Sequence, residues 1–280
     1  MQKVIFFLTG LFVLIFGAPI AAAQTPNPQV VSHPPGKTWS IPSDAIEVSH
    51  GVFHLRSAID LTTGKMVDGF AIVHKKEAGE KQNNAKSVAG SCYGYLAKGA
   101  KWKTVEDWIV NPANTRSLNE NDVFTIFQNA VAKWEDATDG NVTNGTGVNV
   151  FGNGTPTSDT LIADTIAPDG KNEAYFDDIA DPNTIAVTIV WGYFSGPTFA
   201  RQLVEWDQVY DDVTYDWSTA GDVDKMDLNN VVTHEIGHGF GMADLYNTCT
   251  EETMYGYATN GETKKRTLNT GDITGINNLY

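Results

Sequence analysis

A chain of 280 residues with 41% hydrophobic residues holds enough apolar material for one large core, or for a catalytic domain plus a small module. Its formal charge of −15 at pH 7, with 34 acidic residues against 19 basic ones, keeps the surface soluble and excludes the clustered lysine and arginine that nucleic-acid phosphates require. No nucleic-acid partner is expected, and the expected state is a monomer.

The chain opens on Met1, Gln2 and Lys3, runs through an apolar stretch over 4–20, and reaches Ala21, Ala22 and Ala23 before Gln24. A positive start, a hydrophobic middle and small residues at a cleavage point predict a secretory signal peptide over 1–23, with a retained anchor as the alternative. The mature protein is then secreted and extracellular, and free of the membrane after signal cleavage. Residues 24–36, rich in proline and polar side chains, read as an extended linker. Alternating apolar and polar residues over 52–59 and 67–74, on either side of Thr62, Thr63 and Gly64, predict a hairpin in a small N-terminal unit. The stretch 75–89 is polar. Residues 24–90 are therefore a candidate propeptide or accessory module, with 77–86 as a processing stretch, and 91–280 form the main domain.

A strand is predicted near 105–110, then a helix at about 120–135. Its Val123, Ile126, Phe127, Ala130, Val131 and Trp134 share one face as a core stripe. Residues 140–157 form a Gly/Asn/Thr loop in which Asn141, Asn144 and Asn153 each begin an Asn-x-Thr triplet, a glycan acceptor in a glycosylating host and a plain polar loop otherwise. Further strands are predicted near 173–176, 184–191 and 202–210, where β-branched and aromatic residues concentrate. Acidic clusters at Asp177, Asp178 and Asp181, at Asp211, Asp212 and Asp216, and at Asp222, Asp224 and Asp227 could hold calcium, although without EF-hand spacing. Asp227 has a second reading as the N-cap of the helix that follows.

That helix carries the most informative stretch, His234-Glu235-Ile236-Gly237-His238-Gly239-Phe240-Gly241-Met242-Ala243-Asp244. At 3.6 residues per turn, His234 and His238 stand on one face, close enough to share a metal ion. Glu235 borders that ion without ligating it, where a carboxylate can act as general base toward a zinc-bound water. Gly239 and Gly241 predict the helix end and a left-handed turn that brings Asp244 under the metal. Of the six histidines, the remaining His33, His50, His54 and His74 all precede the helix by a long way, so Asp244 is the best-spaced third ligand. Glu251, Glu252 or Glu262 is the alternative. Met254, between Thr253 and Tyr255, is in register to floor the site, and Tyr255 or Tyr257 is a candidate hydroxyl for an oxyanion.

The pattern His-Glu-x-x-His-x-x-Gly-x-x-Asp followed by a methionine turn resembles the metzincin metallopeptidases, with the third histidine changed to aspartate. Over residues 92–280 the chain is similar to matrixin-like enzymes of microbes. The resemblance implies an α+β (α/β) fold: a twisted mixed five-stranded sheet with a zinc-site helix, a packing helix and a C-terminal helix, here preceded by a small mostly β segment. It implies a zinc endopeptidase acting on peptide or protein substrates, with zinc on His234, His238 and Asp244, Glu235 as general base, and Gly241 and Met254 as structural support. It also implies structural calcium, and an edge strand at 184–191 whose free backbone pairs with an extended peptide; a strand covered within the sheet is the alternative. An anionic ligand leaves zinc less positive than a third imidazole, yet two histidines and a carboxylate also support catalysis in thermolysin-type sites.

Two cysteines in an exported chain, Cys92 and Cys249, predict one disulfide. The alternative drawn from the resemblance is that Cys92 is an inhibitory zinc ligand, although Gly90, Ser91, Tyr93 and Gly94 around it depart from the family's switch, which has arginine before the cysteine and Pro-Asp after it. A noncatalytic secreted zinc-containing binding protein is the alternative function. A structural zinc normally takes four protein ligands, and the pattern offers three.

Overall fold

The computed structural model describes residues 38–77, 92–246 and 248–280. The predicted signal peptide, the linker over 24–36 and most of the polar stretch 75–89 lie outside the described residues. In chain order the elements are β1 (Thr38–Trp39), β2 (Ile46–Ser49), β3 (Val52–Ile59), β4 (Met66–Lys76), β5 (Trp108–Val110), α1 (Glu120–Asp136), β6 (Thr155–Pro156), β7 (Asn172–Ile179), β8 (Thr184–Tyr193), β9 (Gln202–Asp211), β10 (Trp217–Ser218), β11 (Met226–Asp227), α2 (Leu228–Gly239), β12 (Tyr257–Ala258) and α3 (Thr270–Leu279). No helix among the described residues is long and apolar enough to cross a membrane.

One mixed sheet organises the fold, in the order β2-β3-β4-β8-β9-β7-β5-β6, with β1 beside β7 and β12 beside β4. Strands β9, β7, β5 and β6 are mutually parallel, and β8 runs antiparallel to β9. The five-stranded sheet expected from the sequence corresponds to β8-β9-β7-β5-β6, but the observed sheet continues past β8. The predicted hairpin forms as β3 and β4, and β4 pairs antiparallel along β8 from Asp68↔Gly192 to Lys75↔Thr184. The stretch 184–191 is therefore an interior strand, contrary to the edge reading. Its physical signature is a run buried at every position from Thr184 to Gly192, as expected of a strand covered on both faces. An apolar strand of that length left at an edge would present unpaired N–H and C=O groups, and β4 satisfies them.

Period-two alternation sorts the side chains between the two faces. Val187, Ile189 and Trp191 of β8 pack with Ala71 and Val73 of β4 on one face, while Ala186 and Val190 of β8 and Ile72 of β4 join the helices on the other. Helix α1 lays its stripe against that second face: Val123, Ile126, Phe127, Ala130, Val131 and Trp134 are all buried, as the periodicity predicts. Asn119 caps it by accepting from the N–H groups of Asn121 and Asp122. Helix α2 packs against α1 and against β8 and β9, and Asp227 caps it by accepting from Asn230 N–H at 2.9 Å.

A disulfide joins Cys92 to Cys249 across 157 positions of sequence, which settles the pairing and removes Cys92 as a thiolate metal ligand. Closing so long a loop restricts the unfolded chain by up to about 5 kcal/mol in the chain-entropy description. The bridge ties the start of the main domain to the segment between α2 and the methionine turn.

Candidate metal centre

Helix α2 is buried along almost its whole length, and its two histidines are oriented by backbone carbonyls. His234 Nδ1 lies 2.7 Å from the Thr253 carbonyl, and His238 Nδ1 lies 2.9 Å from that of Met242. A carbonyl only accepts, so both Nδ1 atoms carry the proton and both Nε2 atoms present lone pairs. After α2 the chain turns at Gly241, whose φ of 102° belongs to the left-handed region and whose Cβ would stand 2.9 Å from the Ala100 carbonyl. The turn delivers Asp244, with Oδ1 at 3.1 Å from His234 Nε2 and 3.4 Å from His238 Nε2. None of these three atoms has a hydrogen-bond partner, and all are buried.

Three acceptors converging with no donor between them form a cradle for a positive charge. The electrostatics agree. Burial alone would raise the Asp244 carboxyl, but His238 and the contacts to both imidazoles outweigh it and hold Asp244 well below the carboxylate range. Burial, together with Lys265, pushes His234 down to about 4, keeping that imidazole neutral as ligation requires. For His238 burial is the largest single cause and acts downward, but the charge and contact of Asp244, the Glu235 charge and the Met242 carbonyl together outweigh it, so its pKa rises. The site thus attracts one positive charge, as a proton in the metal-free chain or as a cation in its place. Tyr246 donates to Asp244 Oδ2 at 3.0 Å and fixes the carboxylate.

The other glutamates stand elsewhere. Glu252 accepts from the N–H groups of Gly271 and Asp272, Glu251 pairs with Lys264, and Glu262 pairs with Lys264 and Asn230. Tyr257 reaches His50 at 2.8 Å, while Tyr255 lies under the Lys264 ammonium.

Glu235 projects toward the sheet. Its Oε2 accepts from Thr188 Oγ1 at 2.6 Å, and its Oε1 lies 2.8 Å from His74 Nδ1. Both partners follow from register: Ile72 pairs with Thr188 and His74 with Ala186, so Thr188 and His74 sit side by side on the helix-facing side of β8 and β4. Burial pushes the Glu235 carboxyl up to about 7, against the opposing pull of His238 and the Thr188 hydroxyl. Sequence reading missed His74, Thr188, Tyr246 and Lys265. Only His74 carried a signal, as a histidine in phase with Phe70 and Ile72 on an otherwise apolar strand face.

Beneath α2, Met254 is fully buried, and its turn is pinned by Asp272 of α3, which accepts from Thr253 N–H at 2.7 Å and Met254 N–H at 3.2 Å. Gly237 is the point of closest approach. A Cβ there would lie 2.4 Å from Met254 Sδ and 2.7 Å from the Trp134 ring. Gly237→Ala is therefore expected to cost about 1–3 kcal/mol through overpacking, read as a lower denaturation midpoint; an unchanged midpoint would contradict this packing.

A second group of acceptors lies on the opposite face of the sheet. Ligand oxygens of Asp164, Glu205 and Asp207 fall within 4.8 Å of one another, and Glu205 Oε1 is buried without a partner. Among the described residues none of the three acidic loops named from the sequence forms such a group. Asp181 serves the turn at Asn183 and Thr184, Asp216 pairs with Arg116, and Asp227 caps α2 and pairs with Arg266. Burial, reinforced by Asp164 and Asp169, pushes Glu205 up to about 8. In the unfolded chain this carboxyl titrates near 4.5, so between those values the folded state holds a proton that the unfolded state lacks. Stability is then fully present below the lower value and falls as pH rises through the upper one. In chelator, thermal stability should drop between pH 5 and 8, and Glu205→Gln, which removes one of two buried carboxyls that burial pushes up together with Asp207, should shrink that drop and recover on the order of 2 kcal/mol, about 4–8 °C, at pH 8. An unchanged profile in the variant would show that Glu205 is not the group responsible.

Among curated proteins none matches the chain. Residues 195–280 match the family model Peptidase_M10, Matrixin, a span that contains β9, α2, the turn at Asp244, Met254 and α3. That partial match, together with the buried group of His234, His238 and Asp244, points to a metzincin-like zinc-peptidase family.

Proposed function

We propose that the chain is a secreted zinc-dependent endopeptidase whose metal is held by His234, His238 and Asp244. The observation that carries this reading is the convergence of three unpartnered buried acceptors beside a carboxylate, Glu235, which also lies within ligand distance of His74 and His234 but whose two oxygens are engaged by His74 and Thr188. Two nitrogens and one oxygen leave zinc a fourth position, the arrangement of catalytic rather than structural sites. Bound there, zinc supplies Lewis-acid polarisation of a water and of a peptide carbonyl. The chain supplies the rest. The Thr253 and Met242 carbonyls hold the two rings, Tyr246 holds Asp244, and Glu235 takes a proton and returns it to the leaving amine. Met254 supports the helix from below without ligating.

Calcium, the other cation the resemblance implies, suits the all-oxygen group of Asp164, Glu205 and Asp207. At pH 8 it should raise the melting temperature of the wild type but not of Glu205→Gln.

The noncatalytic reading draws on one observation, the complete burial of both histidines and Glu235. A purified, zinc-loaded chain incubated with peptides separates the two. Chelator-sensitive hydrolysis supports the peptidase, and tight stoichiometric zinc without hydrolysis in any form of the chain supports the binding protein.

A further inference from the structure

Glu235 ends a flexible side chain beside a cradle for a cation, and a carboxylate so placed is drawn into ligation unless other groups hold it. Two donors do so. Thr188 Oγ1 on β8 donates to Oε2 at 2.6 Å, and His74 Nδ1 on β4 stands 2.8 Å from Oε1. Each bond uses one lone pair of its oxygen, so each oxygen keeps one to take a proton.

His74 can serve this carboxylate in only one of its two neutral tautomers. With the ring proton on Nδ1 it donates to Glu235; with the proton on Nε2 it turns a lone pair on the carboxylate and repels it. Lys265 decides between them. Its side chain is fully buried, and its three protons go to the Tyr255 carbonyl, to the Tyr257 carbonyl at 2.8 Å and to His74 Nε2 at 3.1 Å. An ammonium only donates, so Nε2 is the acceptor and Nδ1 carries the proton. Lys265 is itself fixed near the start of α2, where its N–H donates to Asn230 Oδ1 at 2.8 Å. Every bond from Lys265 through His74 to Glu235 therefore has a set direction.

The support is rigid. Strand β4 is an integral part of the sheet, with Ala71, Ile72 and Val73 buried in both halves of the core, and its register with β8 puts His74 beside Thr188. The His74 ring also lies against that of His234, with centroids 3.9 Å apart. Although His74 comes within ligand distance of His234 and Glu235, both its nitrogens are engaged, which leaves it no lone pair for a metal.

We infer that His74 is a positioning residue for the proton-transfer step, one that orients the Glu235 carboxylate and keeps it out of the metal's ligand set, and that Lys265 fixes the tautomer this requires. The inference rests on the peptidase reading and adds to it the residues that aim its base.

The test uses the full, zinc-loaded chain with isotope-labelled histidine nitrogens. In nitrogen-detected imidazole spectra, the signals that vanish in His74→Asn belong to His74 and should report a proton on Nδ1. In peptide hydrolysis, His74→Ala should lower kcat about 10–100-fold with KM changed less than about twofold and zinc content unchanged, the usual size of a supporting hydrogen bond at a metal site. His74→Asn, whose Nδ2 replaces Nδ1 as the donor, should return kcat to within about fivefold of the wild type. A proton on Nε2, or wild-type kcat in His74→Ala, overturns the inference and leaves the peptidase reading standing. Zinc lost in step with activity from both variants, or no rescue by His74→Asn, makes His74 a packing partner of His234 and also overturns it. The tautomer and the Asn variant decide the question even if His74→Ala does not fold. A wild-type chain that holds zinc and hydrolyses nothing removes the peptidase reading, and the positioning role with it, whatever the tautomer.

Discussion

Glu235→Gln should lower kcat/KM for peptide hydrolysis by the zinc-loaded chain by about 10²–10⁴-fold, the usual contribution of a positioned general base. Zinc content is unchanged, because Glu235 lies outside the group formed by His234, His238 and Asp244. The amide keeps the local structure: its oxygen accepts from His74 Nδ1 and its NH₂ donates to Thr188 Oγ1, replacing the two contacts made by the carboxylate. Loss of activity with retained zinc and an unchanged melting temperature therefore isolates the proton-transfer role. Retained activity would remove Glu235 from the chemistry.

Asp244→Ala acts on the metal instead. Apparent zinc affinities of about 10–16 kcal/mol spread over four ligands put one ligand at roughly 3 kcal/mol, about two powers of ten in Kd. The variant should lose zinc on dialysis while the wild type retains it, as read by elemental analysis. Asp244→Asn keeps an acceptor for Tyr246 and a carbonyl oxygen for the metal but loses the carboxylate charge, so it should fall between the two. Undiminished zinc in Asp244→Ala would return the third-ligand role to another residue.

Local pattern was enough to place α1, the β3–β4 hairpin, the cap at Asp227 and the turn at Gly241, because each is decided by residues within a few positions of one another. The metal triad was legible for the same reason, since a helix and the turn after it bring His234, His238 and Asp244 together within eleven consecutive residues. What sequence could not supply was strand neighbourhood. The burial of β8 on both faces is written in its apolar run, but nothing local says that β4 covers its edge. His74 meets Glu235 across 161 positions, and Lys265 meets His74 across 191, so their contact depends on a sheet register that no short window encodes. The acidic loops misled for a related reason. Carboxylates adjacent in sequence are spent on turns and ion pairs, while Asp164, Glu205 and Asp207 come together from a loop and one face of β9.

The central claim is that this chain hydrolyses peptide bonds at a zinc centre built on α2. Its most direct test is digestion of a peptide library by the zinc-loaded chain, with products identified by mass spectrometry with and without chelator. The account predicts defined cleavage products that vanish with chelator, return on adding zinc, and are missing for Glu235→Gln. No cleavage by a chain shown to carry one zinc, or cleavage that survives chelation, would contradict it.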